Sequence, residues 1–218
     1  MRIKIYLNML EKQTNEITTH HHIYSAILAN LSKDRAETIH NKERMIRMFS
    51  FTSLYQKGNN AHFYICGQDD IIQDFINHLC FNKIIKIGGQ VFEVIHIEQL
   101  DDLKEKPYYI FKTKFIINNS IDGKCRLSED IKDMERRLEK NIIKKSELQG
   151  INTENKVIDI KILNTIRKAT MYKNSHILNY KGNLLITGDK ELIDVAYQCG
   201  LGESTSTGHG FLWEARIV

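Results

Sequence analysis

Pro107 is the only proline among the 218 residues, and the same succession of elements can be read on either side of it. Proline removes a backbone donor and interrupts regular structure. Five of residues 101–106 are charged and they precede it, so the two together read as a linker that divides the chain nearly in half. Before the linker, residues 2–9 alternate as a strand and residues 21–39 read as a helix. Residues 47–55 and 61–66 follow as a pair of strands. Asp69 or Asp70 then caps a helix with Ile71, Ile72, Phe75, Ile76 and Leu79 at helical spacing, and 84–98 is a strand or a hairpin through Gly88 and Gly89. After the linker comes a strand over 108–117, and then a helix with Leu127, Ile131, Met134, Leu138 and Ile142 on one face. Strands over 156–163 and 176–187 follow, with a helix opened by Asp189 and a last strand over 211–218. Each half is β-α-β-β-α-β. The pattern predicts an α+β chain of two tandem ferredoxin-like (RRM-like) domains, residues 1–104 and 105–218.

Composition narrows the function classes. At 42% hydrophobic the chain has enough apolar residues for a packed core. No stretch approaches the roughly 20 apolar residues that cross a bilayer, and the N-terminus lacks the apolar block of a secretory signal. A cytoplasmic protein with no membrane partner is expected. Cys66, Cys80, Cys125 and Cys199 are widely spaced with no CxxC pair, which suits reduced thiols. His20, His21 and His22 are adjacent, and neighbouring side chains diverge on a helix or a strand, so no metal site is expected there. The net charge of +4 is uneven: residues 1–57 hold nine Lys/Arg against five Asp/Glu, and the remainder holds 22 of each. That local positive field suits a polyanion.

The C-terminal tail is rich in glycine: Gly200-Leu201-Gly202-Glu203-Ser204-Thr205-Ser206-Thr207-Gly208-His209-Gly210. Such a loop can bring several backbone N–H groups to a phosphate, or can simply cap a helix and turn. It is not a P-loop, because Phe211 and Leu212 stand where a Lys-Ser/Thr pair is needed. Nor does it sit between a first strand and a helix, so nucleotide cofactors are not expected. Phe49, Phe51 and Tyr55 alternate and read as the core face of one strand.

On these residues the chain resembles the CRISPR-associated endoribonucleases that cut precursor CRISPR RNA within its repeats, the Cas six family of the RAMP superfamily. That family carries a loop of the form G-aromatic/aliphatic-G-x5-G-aromatic-G before its last strand. Here Gly200-Leu201-Gly202, five residues and Gly208-His209-Gly210 match, with His209 in place of the aromatic or aliphatic residue. The family also has a helix, a histidine, then a basic residue leading into a strand like K-x-F-T-F-S. His40 and Arg47 ahead of Met48-Phe49-Ser50-Phe51-Thr52-Ser53 match that order, with arginine in place of lysine. The family's helix tyrosine has Ala29 or Asn30 at the equivalent position, and Tyr24 lies one to two turns earlier.

The resemblance implies cleavage without a metal or other cofactor, giving 2′,3′-cyclic phosphate and 5′-OH ends. It implies His40 as general acid or base, Arg47 on the scissile phosphate, and Lys42 or Arg44 in support. RNA contacts are expected from Gly200, Gly202, Ser204, Gly208, His209, Gly210, Arg44, Tyr24 and His22. Repeat RNA is the expected partner, with CRISPR effector-complex subunits as further ones, for a monomer or homodimer. The alternative is a non-catalytic repeat-RNA-binding subunit of an effector complex. A ferredoxin-like module that binds no RNA is a third reading.

Overall fold

The computed structural model describes residues 1–12, 19–41, 46–121, 124–173 and 175–215. In the first half, β1 (Arg2–Lys12) is followed by α1 (His20–Ala29) and α2 (Lys33–Asn41). Next come β2 (Phe49–Phe51), β3 (Tyr55–Lys57), β4 (Asn60–Gly67), α3 (Asp69–Asn82), β5 (Ile84–Ile87) and β6 (Gln90–Gln99). Their antiparallel sheet has the order β2-β4-β1-β6-β5, with β3 also on β4. Alternation along β1 sends Ile3, Ile5 and Leu7 into the core with Ile23, Ile27, Ile72, Phe75 and Leu79 of the helices. Lys4 and Tyr6 fall on the other face. The second half contains β7 (Tyr109–Phe115), a side hairpin β8 (Asn118–Ile121) and β9 (Lys124–Leu127), and α4 (Ile131–Leu148). It continues with β10 (Ile158–Tyr172), β11 (Ser175–Gly188), α5 (Lys190–Cys199), a 3-10 turn (Thr205–Thr207) and β12 (Trp213–Glu214). Its sheet runs β10-β11-β7-β12. Both sheets put the first strand of the unit in the middle, the ferredoxin-like arrangement.

Four local expectations need correction. The helix expected over 21–39 is two, because Asn30 Nδ2 donates to Ala26 O at 2.9 Å, and Ser32 N and Oγ donate to Asp74 Oδ2 of α3 at 2.8 and 3.0 Å. Such local side-chain bonds offer the chain an alternative to the helix. The helix of the second half starts at Ile131, with Asp130 accepting from Lys132 N and Asp133 N, so Leu127 belongs to β9 instead. β10 and β11 are far longer than their apolar cores, because their distal parts run out together as a hairpin paired from Asn164↔Asn183 to Tyr172↔Ser175. The final strand is Trp213–Glu214, and Phe211 and Leu212 are buried ahead of it. Residues 216–218 of the expected strand lie outside the described residues. No described helix is long and apolar enough to cross a membrane.

Candidate active site

The glycine-rich loop lies between the two sheets, and much of its backbone is already bonded. Leu201 N donates to Gly210 O (2.9 Å), Glu203 N to Ile116 O (3.0 Å) and Gly210 N to Lys114 O (2.5 Å). Gly202 N donates to Asn141 Oδ1 at 3.1 Å. Thr207 N and Gly208 N close the 3-10 turn on Ser204 O and Thr205 O. Six amides of the loop are thus spent inside the protein. Gly200, Gly202, Gly208, His209 and Gly210 are buried, whereas Ser204 is exposed. Glycine is required for close packing: a Cβ on Gly208 (φ +80) would fall 2.8 Å from His20 Nδ1, and one on Gly210 (φ +83) would fall 2.2 Å from Leu201 O.

The same loop is bolted to the first half. Ser50 Oγ donates to His209 O at 2.6 Å, and Thr205 Oγ1 to Arg47 O at 3.3 Å. Arg2, 4% exposed, donates to Tyr197 O (2.5 Å) and Leu212 O (2.7 Å), with its guanidinium 3.6 Å from the Tyr197 ring centroid and 4.1 Å from that of Phe211. From α4, buried Lys145 donates to Gly200 O at 2.5 Å and Cys199 O at 3.2 Å. Burial brings its pKa down to about 8, partly offset by the neighbouring Cys199 and Cys66 thiols.

His209 therefore points inward, not toward the surface as expected for an RNA contact. Its ring meets the edge of His20 at 5.7 Å, and its Nδ1 lies 2.9 Å from Thr207 Oγ1. His20 Nε2 lies 2.7 Å from Ser53 Oγ. Burial, with nearby Lys114, holds the pKa of His20 down at about 4. Burial together with His20 and Lys114 holds His209 at about 3. His22 also does a different job from the one expected. Its Nδ1 accepts from Thr19 N at 3.2 Å in a capping box of α1, and its ring packs against the Gly88 turn. The three consecutive histidines face three different neighbours, since the His21 ring meets Tyr172 at 5.4 Å. No group of three or more His, Cys, Asp or Glu among the described residues is arranged to hold a metal ion.

Two of the expected site residues do come together. Tyr24 stacks on Phe49 (6.2 Å, 3°), and Arg47 lies just ahead of β2. Burial raises the Tyr24 pKa, and the positive field of Arg47 partly opposes that. Tyr172 joins them from the tip of the β10–β11 hairpin, its own hydroxyl raised by burial and by Tyr24. Arg47 Nη1 is buried without a hydrogen-bond partner, as is His21 Nδ1. A cavity of about 150 Å³ opens beside Arg47, walled by Arg35, Thr38, Ile39 and Gln68 among others. His40 is the penultimate residue of α2, and its side chain lies outside the described residues, as do Lys42 and Arg44 entirely. Tyr172 escaped the sequence reading because only the hairpin register, invisible locally, carries it to α1.

Residues 107–213 match the family profile described as CRISPR associated protein Cas6, C-terminal. The fold aligns along its whole length with solved structures of the same kind. The second half of the chain is a Cas6 C-terminal domain. A Cas6-related protein from Pyrococcus furiosus superposes with a TM-score of 0.81 at 19% identity, over 100% of this chain and 99% of that one. A RAMP protein described as binding different RNA substrates gives 0.77 at 19%, over 99% and 100%. A Thermus thermophilus Cas6 product complex gives 0.69 at 11%, over 99% and 100%. At these identities the likeness speaks to fold, and the fold is that of Cas6 from end to end. No curated protein is detectably similar in sequence.

Proposed function

We propose that this chain is a Cas6-family, metal-independent endoribonuclease that cuts precursor CRISPR RNA within its repeats. The observation that carries the reading is Arg47, whose buried Nη1 lacks a partner beside the Tyr24 hydroxyl and next to the loop that Thr205 fastens to it. A buried guanidinium N–H without an acceptor is costly, and a phosphate oxygen supplies that acceptor in the bidentate geometry arginine favours. The reaction moves one proton off a ribose 2′-OH as that oxygen attacks the adjacent phosphorus. It delivers one proton to the 5′-oxygen as the P–O5′ bond breaks. The products are a 2′,3′-cyclic phosphate and a 5′-hydroxyl.

His40 is the proton carrier in this scheme, because an imidazole with its ordinary pKa near ~6.5 can both take and give. His20 and His209 are poor candidates by contrast: burial holds both neutral through the physiological range. Arg47 holds the phosphate and its developing charge, with Lys42 and Arg44 in support and Tyr24 contacting the same group. Ser204 is the exposed residue of the glycine ribbon and the one that meets RNA directly, while Gly200, Gly202, Gly208 and Gly210 shape the ribbon from within. The two units meet at the linker near residue 105, and the loop locks them at a fixed spacing. Further CRISPR effector subunits are partners for the product complex.

End-labelled repeat RNA incubated with the protein in EDTA tests the reading. Two defined fragments, the 5′ one ending in a cyclic phosphate, are the expected result. Tight binding without fragments would favour a non-catalytic repeat-RNA-binding subunit, and fragments lost on chelation would overturn the metal-free chemistry.

A further inference from the structure

β10 and β11 run well past the sheet they belong to. β7 accompanies β11 only as far as Tyr180, so residues 175–179 are paired with β10 alone, up to the Tyr172↔Ser175 rung. A two-stranded ribbon is marginal in water by itself, and this one is braced at its root, along its length and at its tip. At the root, Tyr180 Oη donates to Ser128 O at 2.8 Å and Arg167 pairs with Glu129. Along it, fully buried Asn179 donates from Nδ2 to Thr170 Oγ1 (2.9 Å) and Ile177 O (3.1 Å). At the tip, the Tyr172 ring meets that of His21 on α1 edge-on at 5.4 Å. An arm of the second half is thus fixed across the first.

Alternation along β10 decides what that arm presents. Ile166, Lys168, Thr170 and Tyr172 share one face, with Lys181 and Asn179 opposite the first two. Lys181 there borders a cleft of about 290 Å³ between the two halves, together with Lys112, Lys114, Tyr55, Trp213 and Gly208. Met171 falls on the other face and is 44% exposed, whereas Tyr172 is partly buried. Burial, then the nearby Tyr24, raises the Tyr172 pKa, so its hydroxyl stays protonated at physiological pH, a donor and not a base. Burial raises Tyr24 in the same way. A buried tyrosine hydroxyl ordinarily finds an acceptor, as Tyr109 does on Lys104 O and Tyr180 on Ser128 O. Among the described residues neither the Tyr24 nor the Tyr172 hydroxyl has one. Beside them Arg47 Nη1 and His21 Nδ1 are buried without partners. Polar groups from α1, from the approach to β2 and from the hairpin tip are thus left unsatisfied at one place.

We infer that Tyr172 is a catalytic residue, its hydroxyl donating to a non-bridging oxygen of the scissile phosphate that Arg47 holds. The inference rests on the nuclease reading and adds to it a group from the second half. As the 2′-oxygen attacks phosphorus, negative charge builds on the non-bridging oxygens. A fixed neutral donor stabilises that charge without giving up its proton. Tyr172 therefore leaves the proton balance unchanged: one proton still leaves the 2′-OH and one still reaches the 5′-oxygen. Phenylalanine at this position keeps the ring against His21 and removes only the donor, so it separates the chemistry from the docking of the hairpin.

Single-turnover cleavage of end-labelled repeat RNA at saturating protein in EDTA, with affinity measured by fluorescence anisotropy on the same preparations, tests it. Tyr172→Phe should cut about tenfold more slowly, the worth of one hydrogen bond to a charged group, with affinity within about twofold of wild type. Met171→Ala, on the opposite face at the same level, should cut like wild type. Repeats carrying sulfur at either non-bridging position of the scissile phosphate locate the contact, because sulfur accepts a hydrogen bond poorly. On one diastereomer Tyr172→Phe should cost less than about twofold, since the bond it removes is already weakened there, and on the other about tenfold. Cutting by Tyr172→Phe at the wild-type rate would overturn the inference and leave the nuclease reading standing. So would a loss confined to affinity, or an equal loss of rate on both diastereomers. A wild-type protein that cuts no repeat would overturn the nuclease reading and the role of Tyr172 together.

Discussion

The glycine loop and the lysine cleft touch at Gly208, yet their polar groups are in opposite states. In the loop six amides, the Gly200 and His209 carbonyls and the Thr205 and Thr207 hydroxyls all have partners inside the protein. In the cleft, Lys112, Lys114 and Lys181 have no carboxylate partner among the described residues, and the rings of Tyr55 and Trp213 face open space. A segment rich in backbone donors is therefore not by itself a phosphate site. What distinguishes a ligand surface is the set of groups the fold leaves unsatisfied, because each one lowers its free energy only when something binds. By that criterion Arg47 and the cleft are the surfaces left open to a ligand, and the loop is the clamp that lies between them.

The sharpest way to break this contrast is to disturb the clamp. Gly210→Ala puts a methyl 2.2 Å from Leu201 O at a φ of +83, and should destabilise the chain by about 4 kcal/mol in urea unfolding. An unchanged midpoint would mean that the loop is free to move. Arg2→Ala strands the Tyr197 and Leu212 carbonyls and removes a cation from two aromatic faces, and should cost about 3 kcal/mol by the same measurement.

A gentler probe is pH. His20 and His209 are held neutral in the fold, near 4 and 3, while in the unfolded chain they titrate near ~6.5. Below pH 6.5 the unfolded state takes up protons that the native state does not. Stability is therefore fully present above that pH and falls as the pH drops toward the folded values. A loss of about 2 kcal/mol, shared between the two rings, is expected by about pH 5.8, and a smaller one in His209→Gln. A flat profile would place these rings in contact with water. The smallest effect expected is that of Tyr24→Phe, which removes one hydroxyl near the phosphate and should slow cleavage about 2- to 10-fold, the worth of a single hydrogen bond.

Much of the fold was legible because its signals are local. Alternation in β1, helical spacing in α3 and the Gly88-Gly89 turn each follow from a short run of residues. The glycine spacing likewise pointed to the right family. What escaped depends on register. Phe49, Phe51 and Tyr55 read as one core face, and for Phe49 and Phe51 that holds, since both are fully buried. Phe51 pairs with Ile65 but Tyr55 with His62, so four residues on one side span three on the other. That extra residue flips the side-chain parity and turns Tyr55 outward. The lysine pair is invisible for a similar reason, because 67 residues separate Lys114 from Lys181 and only the β7–β11 ladder sets them side by side. The glycines announced an unusual backbone, but nothing in their spacing says which acceptors their amides meet. His22 and His209 read as surface rings, whereas one completes a capping box and the other is sealed against His20.

The most direct test is single-turnover cleavage of end-labelled repeat RNA by His40→Ala, with binding measured on the same sample. The account predicts a cleavage rate lower by about 10²- to 10⁴-fold, the usual worth of a general acid or base, with affinity close to wild type. Cutting at the wild-type rate would contradict it, and would move the proton chemistry away from the end of α2.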